Sequence, residues 1–220
     1  MTDASISQKA SRRWPLISAT VALLLACALG AILAVRPDEP FAIDLAWMEE
    51  MLDEQNPAVV TLSLVMNWLG GGIVGVVILP AVIIIVLLTV RRPWAALFFT
   101  VSIIASAGVV QLLKQLVGRS RPEDILVVSD YGSFPSGHTA NAATMAVVFG
   151  LVFGRLWVWA AGIAYTALMA FSRTYLGAHW LSDTIGGILV GASVAVIVWA
   201  PFASRLEQER ERRRNVPLSL

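Results

Sequence analysis

Six apolar runs, each about as long as a lipid bilayer is thick, set the terms for how this chain can fold. They cover about residues 15–35, 70–90, 94–117, 137–154, 156–174 and 183–203, and a helix needs about 20 apolar residues to span the hydrocarbon core. Backbone polar groups in lipid must be paired within their own segment, so runs of this kind fold as helices. The expected fold is all-α: a polytopic bundle of six transmembrane helices in one domain over residues 1–220. Charge supports this. Only 14% of residues are charged and 57% are hydrophobic, against about 25% charged in a soluble domain. The single cysteine, Cys27, excludes an internal disulfide and a cysteine-based metal site.

Two runs carry rival readings. The first follows Lys9, Arg12 and Arg13 and includes Leu24-Leu25-Ala26-Cys27, which resembles a weak lipoprotein cleavage box. Its length and the runs behind it favour an uncleaved span, with Cys27 an ordinary helix residue. Apolar character before the second run begins at Ala58. A helix from 58 to 90 would be about 50 Å long, more than one crossing needs. Gly70-Gly71-Gly72 is expected to break it, with the preceding part outside or tilted into the interface.

Basic residues orient the chain. With a cytoplasmic N-terminus (1–14) and six crossings, Lys9, Arg12, Arg13, Arg91, Arg92, Arg155, Arg205, Arg210 and Arg212 to Arg214 fall inside. These are eleven of the sixteen Lys and Arg residues. The acidic segment 36–57, with Asp38, Glu39, Asp44, Glu49, Glu50, Asp53 and Glu54, falls outside. There Phe41, Leu45, Met48 and Leu52 have helical spacing, so the segment is either a short surface helix or a solvated connector. The tail 204–220 is expected to extend the last helix in the cytoplasm and meet anionic headgroups.

Lys114, Arg119, Arg121 and Arg173 break the charge rule, because they lie at span ends on the outer side. No acidic cluster in the sequence is large enough to neutralise them all, whereas a bound phosphate would. They belong to three short segments that the topology brings to one leaflet. These are Lys114 to Pro122, Pro135-Ser136-Gly137-His138, and Ser172 to Asp183. The only two histidines of the chain, His138 and His179, are both there.

Residue types suggest roles. Phosphoryl transfer needs neutralised nonbridging oxygens, an in-line nucleophile and a proton for the leaving oxygen. Lys114, Arg121 and Arg173 suit the first need. Ser136 and Gly137 open a helix, whose free N–H groups cradle anions. Asp183 follows His179 by four residues and shares its face if a helix begins there. A carboxylate on one ring nitrogen leaves the other free to attack, so His179 suits the nucleophile and His138 the general acid.

The three segments resemble the PAP2 superfamily, the type 2 phosphatidic acid phosphatases and vanadium haloperoxidases. Its pattern is K-x6-R-P, then P-S-G-H, then S-R-x5-H-x3-D. Lys114, Arg121, Pro122, Pro135 to His138, Ser172, Arg173, His179 and Asp183 match every fixed position. The six-run plan is similar to the phosphatidylglycerophosphate phosphatase B and undecaprenyl-diphosphatase types. The resemblance implies that His179 is transiently phosphorylated, that Asp183 orients it, and that His138 protonates the leaving alcohol and then activates water. It also implies phosphate binding by Lys114, Arg121, Ser136, Gly137, His138 and Arg173, with no metal and no cofactor. The expected substrates are lipid phosphates or pyrophosphates, such as undecaprenyl pyrophosphate, phosphatidylglycerophosphate or phosphatidate. The expected place is a cell membrane with the site on the periplasmic or outer face. Membrane lipids are expected partners, nucleic acid is not, and the oligomeric state stays open.

Other readings are weighed here too. Arg119 is not a motif position, and either meets headgroups or contacts a second phosphate. Ser136 lacks a G-x-S-x-G elbow, which argues against a serine hydrolase. Glu123, Asp124 and Asp130 read as solvated loop acids rather than a cation site. Trp157, Trp159 and Trp180 read as interfacial anchors. Gly186, Gly187 and Gly191 read as close-packing positions. A soluble haloperoxidase conflicts with six spans. A non-catalytic lipid-phosphate binder or transporter is the alternative from another class, and the intact pair of histidines with Asp183 argues against it.

Overall fold

A computed structural model describes residues 3–53, 55–123, 125–128 and 130–214. Glu54, Asp124 and the last six residues of the tail therefore lie outside the described residues. The chain is helical as the apolar runs predict. In order it forms α1 (Asp3–Ala34), α2 (Ala42–Asp53), α3 (Pro57–Gly70), a π-turn (Val74–Ile78), α4 (Leu79–Thr89), α5 (Pro93–Val117), α6 (Gly137–Phe153), α7 (Leu156–Tyr175) and α8 (Leu181–Arg214). Arg13–Ala34, Pro93–Val117 and Leu181–Arg212 are long and apolar enough to cross a membrane, and α3 with α4 makes a fourth if the bent pair is one span. Helix α6 has 17 residues, just under the usual length of about 20.

Helix α6 sits at the centre, packed against α5, α7 and α8. Its side chains meet Phe98, Phe99 and Ala195 in the main apolar core. Small residues set the spacing. A Cβ at Gly191 would strike the Ala140 carbonyl, and one at Gly187 would lie 2.6 Å from the Ser136 carbonyl. Phe134 likewise fills the space left by Gly30 and Gly186. The close-packing reading of Gly186, Gly187 and Gly191 holds.

The second apolar run is in two pieces, broken at Gly70-Gly71-Gly72 as expected. Asn56 caps α3, accepting from Ala58 N, and Pro57 takes the first turn, where its missing N–H costs nothing. The helix runs to Gly70 and then bends by 48° into α4. Gly72, at φ 58°, takes a left-handed conformation that suits glycine. The segment before the break thus packs into the bundle against α7.

The acidic segment contains a true helix, α2, the surface helix of the two readings, with one side docked on the bundle. Asp44 is fully buried and Met48 nearly so, and α2 packs on α7 and α8.

The tail, too, is more than a headgroup contact. At the end of the bundle opposite the three motifs, Glu209 accepts from Trp94 N at 3.1 Å and Ala95 N at 3.3 Å, capping α5. Arg210 donates to the carbonyls of Leu151 at 2.6 Å and Val152 at 3.2 Å, closing the end of α6. Each charge complements the dipole end that it meets. Exposed Trp157 suits an interfacial anchor, but Trp180 does not. It is buried, and its Nε1–H donates to the Ser120 carbonyl at 3.0 Å.

Candidate active site

The three motifs meet at one end of the bundle because each lies at a helix terminus. Gly118, at φ 60°, ends α5 and bonds back to the Lys114 carbonyl, a left-handed stop that glycine permits. This leaves Lys114 in the last turn of α5. Ser136 caps α6, accepting from Thr139 N, and its own N–H reaches the Asp183 carbonyl at 3.0 Å. The second and third motifs are thereby tied together. Arg173 lies in the last turn of α7, and His179 stands just ahead of α8.

Lys114, Arg121, Gly137, His138, Arg173 and His179 line a single cavity of about 370 Å³. Ser136 and Asp183 do not line it. Ser136 is fully buried with its hydroxyl in the cap, and Asp183 is fully buried behind His179. The rest of the lining comes mainly from Gly70 to Gly72, Val76, Ile103, Ala107 and Val110, with Ser106, Gln111 and Asn141 among them. The glycines are needed there, because a Cβ at Gly71 would run into the His138 ring.

The cations already meet one carboxylate. Asp130 Oδ1 accepts from Lys114 Nζ at 3.3 Å and from Arg121 Nη2 at 2.7 Å. Both cations also donate to the Gly132 carbonyl, at 2.6 and 2.9 Å. Asp130 is thus not a loop acid surrounded only by water. Partial burial works to raise its pKa, but Lys114 and Arg121 outweigh that and hold it below the usual carboxylate value. It therefore stays charged at neutral pH and competes with any incoming anion. Its side chain is 58% exposed, so the pair is weak, about 1 kcal/mol or less. Asp130→Asn is expected to tighten binding of orthovanadate, a phosphate mimic, by up to about fivefold at pH 7. Competition of vanadate with substrate measures this, and unchanged or weaker binding would remove Asp130 from the role.

His179 is buried, with Nε2 toward the cations. Arg121 Nη1 donates to Nε2 at 3.3 Å and to the Ala178 carbonyl at 2.6 Å. Burial first, then Arg121, Arg173, Lys114 and His138, hold its pKa well below the usual value. The ring is therefore neutral at pH 7, with the Nε2 electron pair turned to Arg121. Its Nδ1 lies 3.6 Å from Asp183 Oδ2, beyond hydrogen-bond length by about 0.4 Å. The two are close, as the sequence spacing predicts, but they do not share a helix face, because α8 begins after His179. Asp183 instead reaches back from the first turn of α8 to Trp180 N at 2.9 Å, half of a capping box. Ser133 Oγ donates to the same oxygen.

Arg119 matches neither expectation. It is 2% exposed and meets neither headgroups nor the cavity. Nη1 donates to Asp183 Oδ1 at 2.6 Å and Nη2 to Asp44 Oδ2 at 2.7 Å. Asn67 of α3 is a further residue outside the three motifs. Its side-chain oxygen accepts from Arg173 Nη1 at 2.6 Å, and its carbonyl faces His138 Nε2 at 3.1 Å. The sequence held a signal for both. Asn67 is a polar residue within an apolar run, which is costly without a partner. Asp44 sits inside the stripe of Phe41 and Met48, where an acid must be paired. Among the described residues, no group of three His, Cys, Asp or Glu is placed to hold a metal.

Residues 95–206 match the PAP2 superfamily profile. The chain belongs to the PAP2 superfamily. A lipid A 1-phosphatase of Rhizobium johnstonii is 35% identical over 123 residues, covering 50% of this chain and 48% of that protein. A decaprenylphosphoryl-5-phosphoribose phosphatase of Mycobacterium tuberculosis is 30% identical over 135 residues, covering 56% and 68%. The chain spans about half the length of the first of these PAP2 relatives. The crystal structure of a transmembrane PAP2-type phosphatidylglycerolphosphate phosphatase from Bacillus subtilis superposes with a TM-score of 0.70 at 22% identity. That match covers 90% of this chain and 98% of the other, so the PAP2 fold extends well beyond the motif region.

Proposed function

We propose that this chain is an integral membrane lipid phosphatase that crosses the bilayer six times and works through a phosphohistidine at the external face. One observation carries the reading. A single cavity is lined both by three cations with two imidazoles and by apolar helix residues such as Val76, Ile103, Ala107 and Val110. A phosphate fits the first and an acyl or prenyl chain the second.

In this mechanism Lys114, Arg121 and Arg173 hold the nonbridging oxygens, helped by the free N–H groups at the start of α6. His179 Nε2 attacks phosphorus and the bond to the lipid oxygen breaks. His138 gives a proton to that oxygen. It then takes one from water, which attacks phosphorus, breaks the P–N bond and frees phosphate. Asp183 faces the positive charge that develops on the His179 ring.

The basic residues at the opposite end of the bundle, among them Arg92 and Arg210, support a cytoplasmic position for that end. The site then faces the periplasm or exterior, in the inner or cytoplasmic membrane. The whole chain acts as one domain.

Phosphate release by purified protein tests the reading, across undecaprenyl pyrophosphate, phosphatidylglycerophosphate, phosphatidate and water-soluble phosphate esters. Release is expected from lipid substrates, at least about 100-fold faster than from soluble esters, since remote binding energy is used at the reacting centre. Lipid-phosphate binding without release would favour the non-catalytic binder instead.

A further inference from the structure

Asp44 lies outside all three motifs, on a helix that does not border the cavity. Yet it is fully buried, and every group around it donates. Ser182 N reaches Oδ1 at 2.9 Å. Ser182 Oγ and Arg119 Nη2 reach Oδ2, each at 2.7 Å. The two carboxyl oxygens of Asp44 thus act only as acceptors. Arg119 Nη1 donates at 2.7 Å to Ser182 Oγ and at 2.6 Å to Asp183 Oδ1. A chain of contacts therefore runs from α2, through one guanidinium, to the carboxylate behind His179.

We infer that Asp44 is a positioning residue for the nucleophile: by sharing the charge of Arg119, it keeps Asp183 electrostatically available to His179. This rests on the proposed phosphohistidine reading. The two carboxylates and one guanidinium carry a net charge of about −1 behind the ring. Were Asp183 paired with Arg119 alone, that charge would fall to zero. The imidazole would then lose stabilisation as it turns cationic on attack, when the opposing charges are already positive. From the other elements, His179 is faced by Lys114 (α5), His138 (α6), Arg173 (α7), Asp183 (α8), and by Arg121 and Asp130 of the loop before α6. Only Asp183, Asp130 and, through Arg119, Asp44 supply negative charge. Asp130 is already committed to Lys114 and Arg121.

The sign of the effect follows. Asp44→Asn lowers the affinity of His179 for a proton, so the acid limb of kcat/KM moves to lower pH. It also removes stabilisation of the phosphorylated ring, so kcat falls. Substrate binding stays the same, because Lys114, Arg121 and Arg173 do not touch Asp44.

The test compares wild type, Asp44→Asn and Asp44→Glu, the last keeping charge while changing shape. For Asp44→Asn the expected result is a kcat drop of about tenfold or more, the equivalent of one pKa unit. KM should stay within about twofold, and the acid limb should shift down. Asp44→Glu should keep the wild-type limb. A purely structural role would lower thermal stability in both variants and leave the limb in place, which would overturn the inference. If Asp44→Asn does not accumulate, the Asp44→Asn/Arg119→Gln pair, which keeps the net charge of about −1 behind the ring on Asp183 alone, replaces it. Its limb should lie at or above the wild-type position, and a lower one would overturn the inference. Turnover by wild type separates this inference from the phosphatase reading. A wild type inactive on every lipid phosphate would end that reading, while an active wild type whose kcat and acid limb are unchanged in Asp44→Asn would end the inference alone.

Discussion

His179→Ala is expected to abolish phosphate release, by at least about 10³-fold, the scale on which an enzyme loses its nucleophile. The fold should survive, because Asp183 does not depend on the histidine. Its oxygens keep Arg119, Ser133 and Trp180 N as donors. The cations keep Asp130 and the Gly132 carbonyl. The loss should therefore appear in turnover while detergent-extracted protein elutes and melts much as wild type does. A second measurement addresses the intermediate. Wild type quenched during turnover of a lipid bearing labelled phosphorus should carry acid-labile phosphate, and the variant should carry none. Release above a tenth of the wild-type rate would remove His179 as the attacking group.

Arg119→Ala is expected to act on the fold. It would strip the cation from between Asp44 and Asp183, both fully buried. Removing one partner of a buried ion pair costs about 3–5 kcal/mol, because the remaining charge has nowhere to go. That is a large share of a typical total stability of about 5–15 kcal/mol. The variant should melt far below wild type or fail to accumulate in the membrane. Arg119→Lys should recover only part of the loss, since one ammonium lacks the planar fork that serves both carboxylates. An arginine meeting only headgroups would tolerate alanine within about 0.5 kcal/mol, so a near-normal melting temperature would contradict the buried assignment.

The sequence makes local features legible. The apolar runs at 94–117, 137–154 and 156–174 match α5, α6 and α7 within a residue or two, because an unbroken run has clear ends. The break at Gly70-Gly71-Gly72 is legible from composition. The convergence of Lys114, Arg121, His138, Arg173 and His179 is legible from motif segments that each adjoin the end of an apolar run. Long-range pairings show locally only as a polar residue in need of a partner, never as which partner. Arg119 reads as an interfacial cation because Asp44 is 75 positions away. Asp130 reads as a loop acid because only the folded loop turns it toward Lys114. Asn67 stands out as polar, but its run lacks the periodic polarity that would tell which helix it faces.

The reach of α8 has a practical consequence. Hydropathy alone would end the last span near residue 203, and a shortened version of the protein designed on that basis would stop there. Such a version would discard Glu209 and Arg210, and with them the terminal hydrogen bonds of two central helices. Fluorescent fusions or affinity handles are therefore best joined after Arg214, and a cut before Leu206 should loosen the end of the bundle away from the chemistry.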